Sequence, residues 1–168
     1  SYDLLFHCEL KNLGYVFRVK SPSSPKSILS YYASELPDDL EEFDVTIKRF
    51  FTDKATNIMK SQSDVYRYIN PSKNTPHFYE LLRKNHSHLY FLQFRVVKIK
   101  TAENTYEYLI TNLPFSFTLD DIRECYHWRW GIEISFRYLK HAAGLLYFHS
   151  KQPEFLKQEI YSRLILYN

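Results

Sequence analysis

The chain has 168 residues, of which 45% are hydrophobic and 24% charged, as expected of one globular domain with its own core. Its three glycines, Gly14, Gly131 and Gly144, are too widely spaced for a Walker phosphate loop or a G-x-G-x-x-G turn. Two distant cysteines, Cys8 and Cys125, exclude zinc-finger frameworks and dense disulfide scaffolds and favour a reducing compartment. No apolar run of 18 residues occurs, so the sequence predicts neither a membrane span nor secretion.

The net charge of +3 conceals an uneven distribution along the chain. Residues 44–100 carry eleven Lys and Arg against four Asp and Glu, a net +7, whereas residues 1–43 carry four against seven, a net −3. A basic stretch of this kind is expected where a protein contacts a phosphate backbone. A solvated, lysine-rich surface has the same composition, and charge alone leaves both interpretations open.

The first quarter of the chain predicts a helix, a strand and an excursion. Apolar residues at helical spacing indicate a helix over residues 2–12, which Gly14 would end. Alternating apolar and basic residues predict a strand over 15–20. The Pro/Ser cluster and the acidic run within 21–42 indicate a loop or a short-helix excursion from the sheet.

The basic segment is predicted to be rich in strands, which we place at residues 45–51, 65–69, 90–100 and 105–112. A helix interrupts them, because Thr75 followed by Pro76 is typical of an N-cap with proline in the first helical position. The four residues 101–104 are short enough to join the last two strands as an antiparallel hairpin.

Two helices are predicted at the C-terminal end. A capping-box pattern at Thr118 indicates a helix from Leu119 to about Ala143, with Gly144 as its C-terminal cap. A final amphipathic helix is predicted over residues 153–167.

Four polar residues fall on one face of the longer helix, within an arc of about 60° at 100° per residue: Tyr126, Arg129, Glu133 and Lys140. A carboxylate suits Mg²⁺, cationic side chains suit phosphates, and a tyrosine can stack on a base or donate a hydrogen bond to a phosphate. These residue types together suit phosphodiester chemistry. The simpler alternative is a surface ion pair between Arg129 and Glu133, worth a few tenths of a kcal/mol.

An apolar stripe lies beside this polar row and is formed by Cys125, Trp128, Ile132, Phe136, Leu139 and Ala143. Such a stripe normally faces the core. We therefore expect this side of the helix to be buried against a sheet.

The spacing Tyr126-x2-Arg129-x3-Glu133-x6-Lys140 matches, position for position, the Y-R-E-K signature of the IS4-type DDE transposases. These are bacterial insertion-sequence enzymes with a ribonuclease H-like catalytic core. The segments 109–113 and 158–168 also look like that family's C-terminal region. Residues 1–20 resemble the helix and strand that follow the family's second catalytic aspartate.

The resemblance implies an α+β fold with an α/β core: a partial ribonuclease H-like fold with a β-rich insertion and C-terminal helices. Residues 1–20 would supply a helix and strand of the core. Residues 21–113 would form the β-rich insertion, which in this family touches transposon-end DNA. Residues 114–168 would supply the C-terminal helices of the core, including the signature helix.

The resemblance also implies a role for each residue of the row. Glu133 would be the last member of the Asp-Asp-Glu triad and a ligand of catalytic Mg²⁺ or Mn²⁺. Arg129 and Lys140 would contact phosphates near the transposon end, and Tyr126 would help to hold its distorted strand. The implied partners are double-stranded DNA at transposon ends and target DNA, with a homodimer as the active complex. The implied location is the bacterial cytoplasm, in association with the nucleoid.

Both catalytic aspartates of the family are expected upstream of Ser1, and Asp3 falls in the helix that follows them. With one of three metal ligands, the 168-residue chain is expected to be inactive by itself, while its parent would cut and join DNA strands. A different class of protein is the alternative: a non-catalytic DNA-binding remnant in which Glu133 only pairs with Arg129.

Other candidate residues have simpler explanations. The segments 48–51 and 66–68 interleave cations with aromatic rings, as single-strand stacking platforms do, but half-buried strands share this pattern. His86 and His88 lack a third nearby metal ligand and are expected in a solvent-facing loop. Both cysteines lie on apolar helix faces, which favours packing over reactivity.

Overall fold

The computed structural model describes residues 1–54, 56–70, 74–141, 144 and 147–167. The predicted α+β class is confirmed. In chain order the helices and strands are α1 (Tyr2–Leu10), β1 (Val16–Val19), a 3-10 helix (Ile28–Glu35), β2 (Phe43–Thr52), α2 (Asn57–Ser61), β3 (Tyr66–Tyr68), α3 (Pro76–Lys84), β4 (Leu89–Ala102), β5 (Thr105–Thr111), α4 (Leu119–His141) and α5 (Pro153–Tyr167).

The chain divides into two compact units, Ser1–Asp120 and Asp121–Asn168. The first contains a five-stranded mixed sheet in the order β1-β5-β4-β2-β3, antiparallel except for the parallel β2–β3 pair. The predicted hairpin joins β4 to β5, and Asn104 takes a φ of 54° in its turn. None of the described helices is both long and apolar enough to cross a membrane.

One face of the sheet is covered by α1, α3 and the 3-10 helix. Phe6 of α1 is fully buried, and its ring lies 5.2 Å from that of Phe51 on β2 and 4.7 Å from that of Phe78 on α3. Tyr32 of the 3-10 helix contacts Phe94 of β4 edge to face at 5.7 Å. These aromatic contacts form the centre of the core, and the excursion over 21–42 folds back onto the sheet as part of it.

The prediction that Gly14 ends α1 is wrong. The helix ends at Leu10, and Asn12 adopts the left-handed conformation with a φ of 52°. The amide of Asn12 donates to the carbonyl of Glu9, and the amide of Leu13 donates to that of Cys8 at 2.9 Å. This is a Schellman turn, in which asparagine occupies the position that glycine usually takes.

Acidic residues of the excursion neutralise cations of the basic segment. Arg49 and Lys98 are buried, and they pair with Glu35 and Asp38 respectively. The exposed pair of Lys100 with Glu41 is a third example. The negative and positive stretches of the sequence are therefore partly paired in space, so the electropositive surface is smaller than a net +7 indicates.

The second unit contains α4 and α5. The loop before α5 is fixed by Arg163, whose Nη1 donates to the carbonyl of Tyr147 at 2.8 Å, and by Glu159, which accepts from the amide of His149 at 3.1 Å.

The short helix α2 in the first unit was not expected from the sequence.

Candidate functional site

The helix that carries the polar row begins at Leu119, as predicted, and extends over 23 residues to His141. Its predicted last residues, Ala142 and Ala143, lie outside the described residues. Gly144 has a φ of 66°, the left-handed conformation that its predicted capping role requires.

Three of the four residues of the row are joined by their side chains. Arg129 Nη2 donates to the Tyr126 hydroxyl at 3.1 Å, and Nη1 donates to the Glu133 carboxylate. The guanidinium carbon lies 4.9 Å from the centre of the Tyr126 ring. Tyr126 is buried, Arg129 is half-buried and Glu133 is exposed, so the row changes from packed to solvated along the helix.

Lys140 is not part of this chain of contacts, and it lies two helical turns after Glu133. The two residues line a shallow depression of about 380 Å³ together with Phe136, Arg137 and His141. Arg137 and His141 add two basic side chains to the surface around Glu133. The helical spacing of Arg137, one turn beyond Glu133, was the signal that could have identified it from the sequence.

The described residues do not complete a metal site on this helix. Glu133 is the only carboxylate of the row, and one of its oxygens accepts a hydrogen bond from Arg129. In the part of the chain that the structure describes, no group of three or more His, Cys, Asp or Glu side chains is arranged to hold a metal ion. A two-metal centre needs several carboxylates, so these residues supply at most one ligand to it.

The expectation that the apolar stripe is buried is wrong. Trp128, Ile132 and Phe136 are 64%, 57% and 58% exposed, and Ala143 lies outside the described residues. With Leu139 they line an open groove of about 500 Å³ along α4. Helical periodicity identifies the face that is suited to burial, whereas burial itself requires a second element to cover that face.

The two basic-aromatic segments divide between core and surface. In 48–51, Arg49 and Phe51 are buried, whereas Lys48 and Phe50 are exposed. Phe50 contacts Phe91 across the strand pair at 5.2 Å. In 66–68, the guanidinium of Arg67 lies over the Tyr31 ring, with 3.2 Å from its carbon to the ring centre.

For the other candidate residues, the structure shows packing, hydrogen bonds or exposure to solvent. Asp3 caps α3, because its carboxylate accepts hydrogen bonds from the amides of His77 and Phe78. His86 and His88 are exposed, and His88 Nδ1 lies 2.9 Å from Asp53. Cys8 is buried in the core, and burial raises the pKa of its thiol. Cys125 is half-buried, and both thiols are free.

Comparison with known proteins assigns this architecture to a class. The sequence profile of the family described as "Transposase DDE domain" matches residues 1–168. The chain therefore belongs to the transposase DDE domain family, and its α+β fold agrees with that assignment.

Two curated relatives are bacterial. They are "Putative transposase InsL for insertion sequence element IS186A" of Escherichia coli strain K12 and "Transposase for insertion sequence element IS421" of Escherichia coli. Each is 34% identical over 73 residues, which is 42% of this chain and 20% of the relative. The alignment thus covers about a fifth of the relatives' length. No solved structure matches the chain.

Proposed function

We propose that this chain is the C-terminal part of an IS4-type DDE transposase that cleaves and transfers DNA strands at insertion-sequence ends. The observation that carries the proposal is the continuous contact of Tyr126, Arg129 and Glu133 on one helix face, with Lys140 on the same depression as Glu133. The family assignment over residues 1–168 supports it. The Y-R-E-K spacing is the basis for the IS4 type.

In the proposed site Glu133 is the catalytic carboxylate and supplies one ligand to Mg²⁺ or Mn²⁺, which supplies Lewis-acid chemistry at the scissile phosphate when bound. Arg129 and Lys140 bind phosphates of double-stranded transposon-end DNA. Tyr126 would help to hold the distorted strand of the transposon end. It is buried, so it would act through Arg129, which it positions by the 3.1 Å hydrogen bond and the contact of its ring with the guanidinium. The complete enzyme would act as a homodimer on end and target DNA in the bacterial cytoplasm.

The ion pair of Arg129 with Glu133 is compatible with this role. The Arg129 side chain is 39% exposed and that of Glu133 is 54% exposed. An exposed ion pair of this spacing contributes about 0.3–0.5 kcal/mol to stability. Arg129 therefore exchanges the carboxylate for a phosphate at little cost in free energy. The same movement releases the Glu133 oxygen.

We propose the three-part division stated above for the complete protein: core elements in 1–20, a β-rich insertion in 21–113 and core helices in 114–168. Pairing of β1 with β5 joins the first two parts in one sheet. With a single carboxylate of the triad, the 168-residue chain is expected to be inactive without its parent's other two.

The second candidate is a non-catalytic DNA-binding remnant. The observation that favours it is the direct bond from Arg129 to Glu133, which gives the carboxylate a structural partner. In this protein Arg129 and Lys140 would still bind phosphates, while Glu133 would do no chemistry.

The experiment is cleavage of a labelled transposon-end duplex by the complete protein with Mg²⁺. Glu133→Gln is expected to abolish cleavage and leave end binding largely intact, because the amide keeps the shape and loses the charge. Glu124→Gln, at an exposed position of the same helix, is the matched control and should cleave normally. Undiminished cleavage by Glu133→Gln contradicts the catalytic role and favours the remnant.

The proposed phosphate contacts of Arg129 and Lys140 are tested separately, by the salt dependence of DNA binding. Arg129→Ala and Lys140→Ala in the complete protein are expected to weaken end binding and to reduce the slope of log K against log salt by about 0.9 for each lost contact with duplex DNA. An unchanged slope contradicts their proposed role.

A further inference from the structure

A buried arginine of the sheet holds the loop that leads into the helix of the polar row. Arg95 is on β4, opposite Thr111 at the end of β5, and is 4% exposed. Residues 112–118 join β5 to α4, which begins at Leu119. We propose that Arg95 is a positioning residue for the reaction of the complete protein, because it fixes the loop from which α4 starts. The inference rests on the proposed function, since α4 carries Glu133.

All five N–H donors of the Arg95 guanidinium have an acceptor. Nε donates to one carboxylate oxygen of Asp44 at 3.0 Å, and Nη2 donates to the other. Nη1 donates to the carbonyls of Leu113 and Pro114 at 3.2 and 2.8 Å, and Nη2 also donates to the carbonyl of Phe117 at 3.0 Å. Two donors are therefore used on a carboxylate and three on a single loop.

The three bonds to the loop exceed what the buried charge requires. The carboxylate of Asp44 already gives the cation a partner of opposite charge. Residues 114–118 are exposed, so water can satisfy their carbonyls in many conformations of the loop. A planar guanidinium fixes the directions of its donors, so Arg95 satisfies three carbonyls in one conformation.

The loop is folded around this guanidinium. The amide of Phe117 donates to the carbonyl of Pro114 at 3.0 Å and closes a turn. The guanidinium carbon of Arg95 lies 4.8 Å from the centre of the Phe115 ring. Because α4 is continuous from Leu119 to His141, a change in the loop that moves its first turn also moves the polar row.

Lys98 provides a matched comparison, because it is a second buried cation of β4. It is 6% exposed, lies 3.2 Å from a carboxylate oxygen of Asp38, and donates to the carbonyls of Asp38 and Leu40 at 2.7 and 2.8 Å. Those carbonyls belong to the excursion over 21–42, which does not lead to α4. Loss of Lys98 therefore removes a buried cation and its carbonyl contacts without releasing the loop over 112–118.

The test is single-turnover cleavage of a labelled transposon-end duplex by a saturating excess of the complete protein with Mg²⁺. Arg95→Lys keeps a cation beside Asp44, but an ammonium with three donors does not replace a fork that makes five bonds. We expect the rate constant to fall about tenfold or more, because a small misplacement of a catalytic group can cost about a hundredfold. A purely structural loss lowers the concentration of folded protein, which leaves the rate constant at saturation unchanged.

Lys98→Met is the control and should cleave with a rate constant within about twofold of the parent's, even where its urea midpoint falls as far as that of Arg95→Lys. An equal loss of rate in these two variants overturns the proposal, because the effect would then follow from stability in general. A rate constant for Arg95→Lys within about twofold of the parent's also overturns it.

Pro114→Gly keeps the proposal testable if Arg95→Lys fails to fold. This substitution leaves Arg95 and its carbonyl acceptors in place and loosens the loop, because glycine has more backbone freedom than proline. We expect a rate constant several-fold lower than the parent's, and an unchanged rate constant overturns the proposal.

Hydrogen exchange in the 168-residue chain gives a readout that does not depend on cleavage. Arg95→Lys is expected to speed exchange of the amides in 113–122 by about fivefold or more, with little change in α1, because only the loop and the first turn of α4 lose their anchor. Equal acceleration in α1 indicates loss of stability throughout the first unit and overturns the proposal.

Failure of this inference is distinct from failure of the proposed function. If Glu133→Gln is inactive while Arg95→Lys cleaves normally, the positioning role is wrong and the proposed function stands. If Glu133→Gln cleaves normally, the catalytic proposal is wrong and the positioning role fails with it.

Discussion

The carboxylate of Asp3, in the first turn of α1, accepts a hydrogen bond from the backbone amide of His77 at 3.0 Å, and its other oxygen lies 2.6 Å from His77 Nδ1. The amide of Phe78 donates to the same carboxylate at 3.3 Å. Asp3 thus caps α3 from a position 74 residues earlier in the chain. Both carboxylate oxygens of Asp3 therefore contact the first turn of α3.

Asp3→Ala is expected to lower the free energy of unfolding by about 1–2 kcal/mol, because two amides at the start of α3 lose their acceptor. Urea denaturation of the 168-residue chain measures it. Asp39→Ala, at an exposed position, is the control and should change stability by less than about 0.5 kcal/mol. Equal effects of the two substitutions would contradict the cap.

Arg95 anchors the segment that leads to α4. It is 4% exposed, its Nε donates to Asp44 at 3.0 Å, and its Nη1 donates to the carbonyls of Leu113 and Pro114. Arg95→Met is expected to lower the free energy of unfolding by about 3–5 kcal/mol, because it leaves a carboxylate and several carbonyls without their partner.

Arg18 provides the comparison with Arg95, because its side chain is 57% exposed and pairs with Glu107. Arg18→Met should lower stability by at most about 1 kcal/mol. Denaturation of both variants with guanidinium chloride measures the difference between their free energies of unfolding. Similar losses of stability would show that Arg95 is not an anchor.

Alkaline pH is expected to destabilise the first unit. Burial and the neighbouring Glu9 raise the pKa of Tyr90 to about 12, from its ordinary value of about 10. From pH 10 to pH 12 the folded chain therefore binds more protons than the unfolded chain, so stability falls as pH rises through this window. Tyr90→Phe removes the group and should make the decline shallower, as urea midpoints at successive pH values would reveal.

Burial also raises the pKa of other core tyrosines, among them Tyr15 and Tyr108. Part of the decline should therefore remain in Tyr90→Phe. Tyr161→Phe removes a hydroxyl from an exposed ring and is the control. A decline as steep in Tyr90→Phe as in the parent chain would contradict the assignment.

Alkylation should distinguish the two cysteines. Burial raises the pKa of the Cys8 thiol and hides its sulfur, so the reactive thiolate is scarce and inaccessible. Iodoacetamide is expected to label Cys125 first, and Cys8 only on a timescale set by unfolding. Mass spectrometry of the single variants Cys8→Ala and Cys125→Ala measures the two rates, and comparable rates would count against the burial of Cys8.

Local signals predicted local structure well. The capping pattern before Leu119, the proline at the start of α3 and the short hairpin loop all act within a few residues, and each element was found where it was predicted. The end of α1 was misjudged because asparagine and glycine both tolerate the left-handed conformation. Sequence spacing does not decide between Asn12 and Gly14.

Long-range relationships were not predictable from one sequence. The acceptor of the α3 amides is Asp3 in α1. The carboxylates that neutralise Arg49 and Lys98 come from residues 21–42, which the sequence predicts to be a separate excursion from the sheet. The polar row on α4 was predictable, because residues three and four apart on a helix are neighbours. Its side-chain contacts and the exposure of the adjacent stripe depend on tertiary packing and required the structure.

The strand order has a consequence for the rate at which this unit folds. The β4–β5 hairpin and the β2–β3 pair, in which Phe50 lies opposite Tyr66, join strands that are close in sequence. In contrast, Val16 pairs with Thr111 and Phe43 with Lys98. Each distant pairing closes a long loop before its contacts are made, and such topologies fold slowly. We expect the β4–β5 hairpin to form early and β1 to join the sheet last, so the pairing of Val16 with Thr111 is among the final contacts to form.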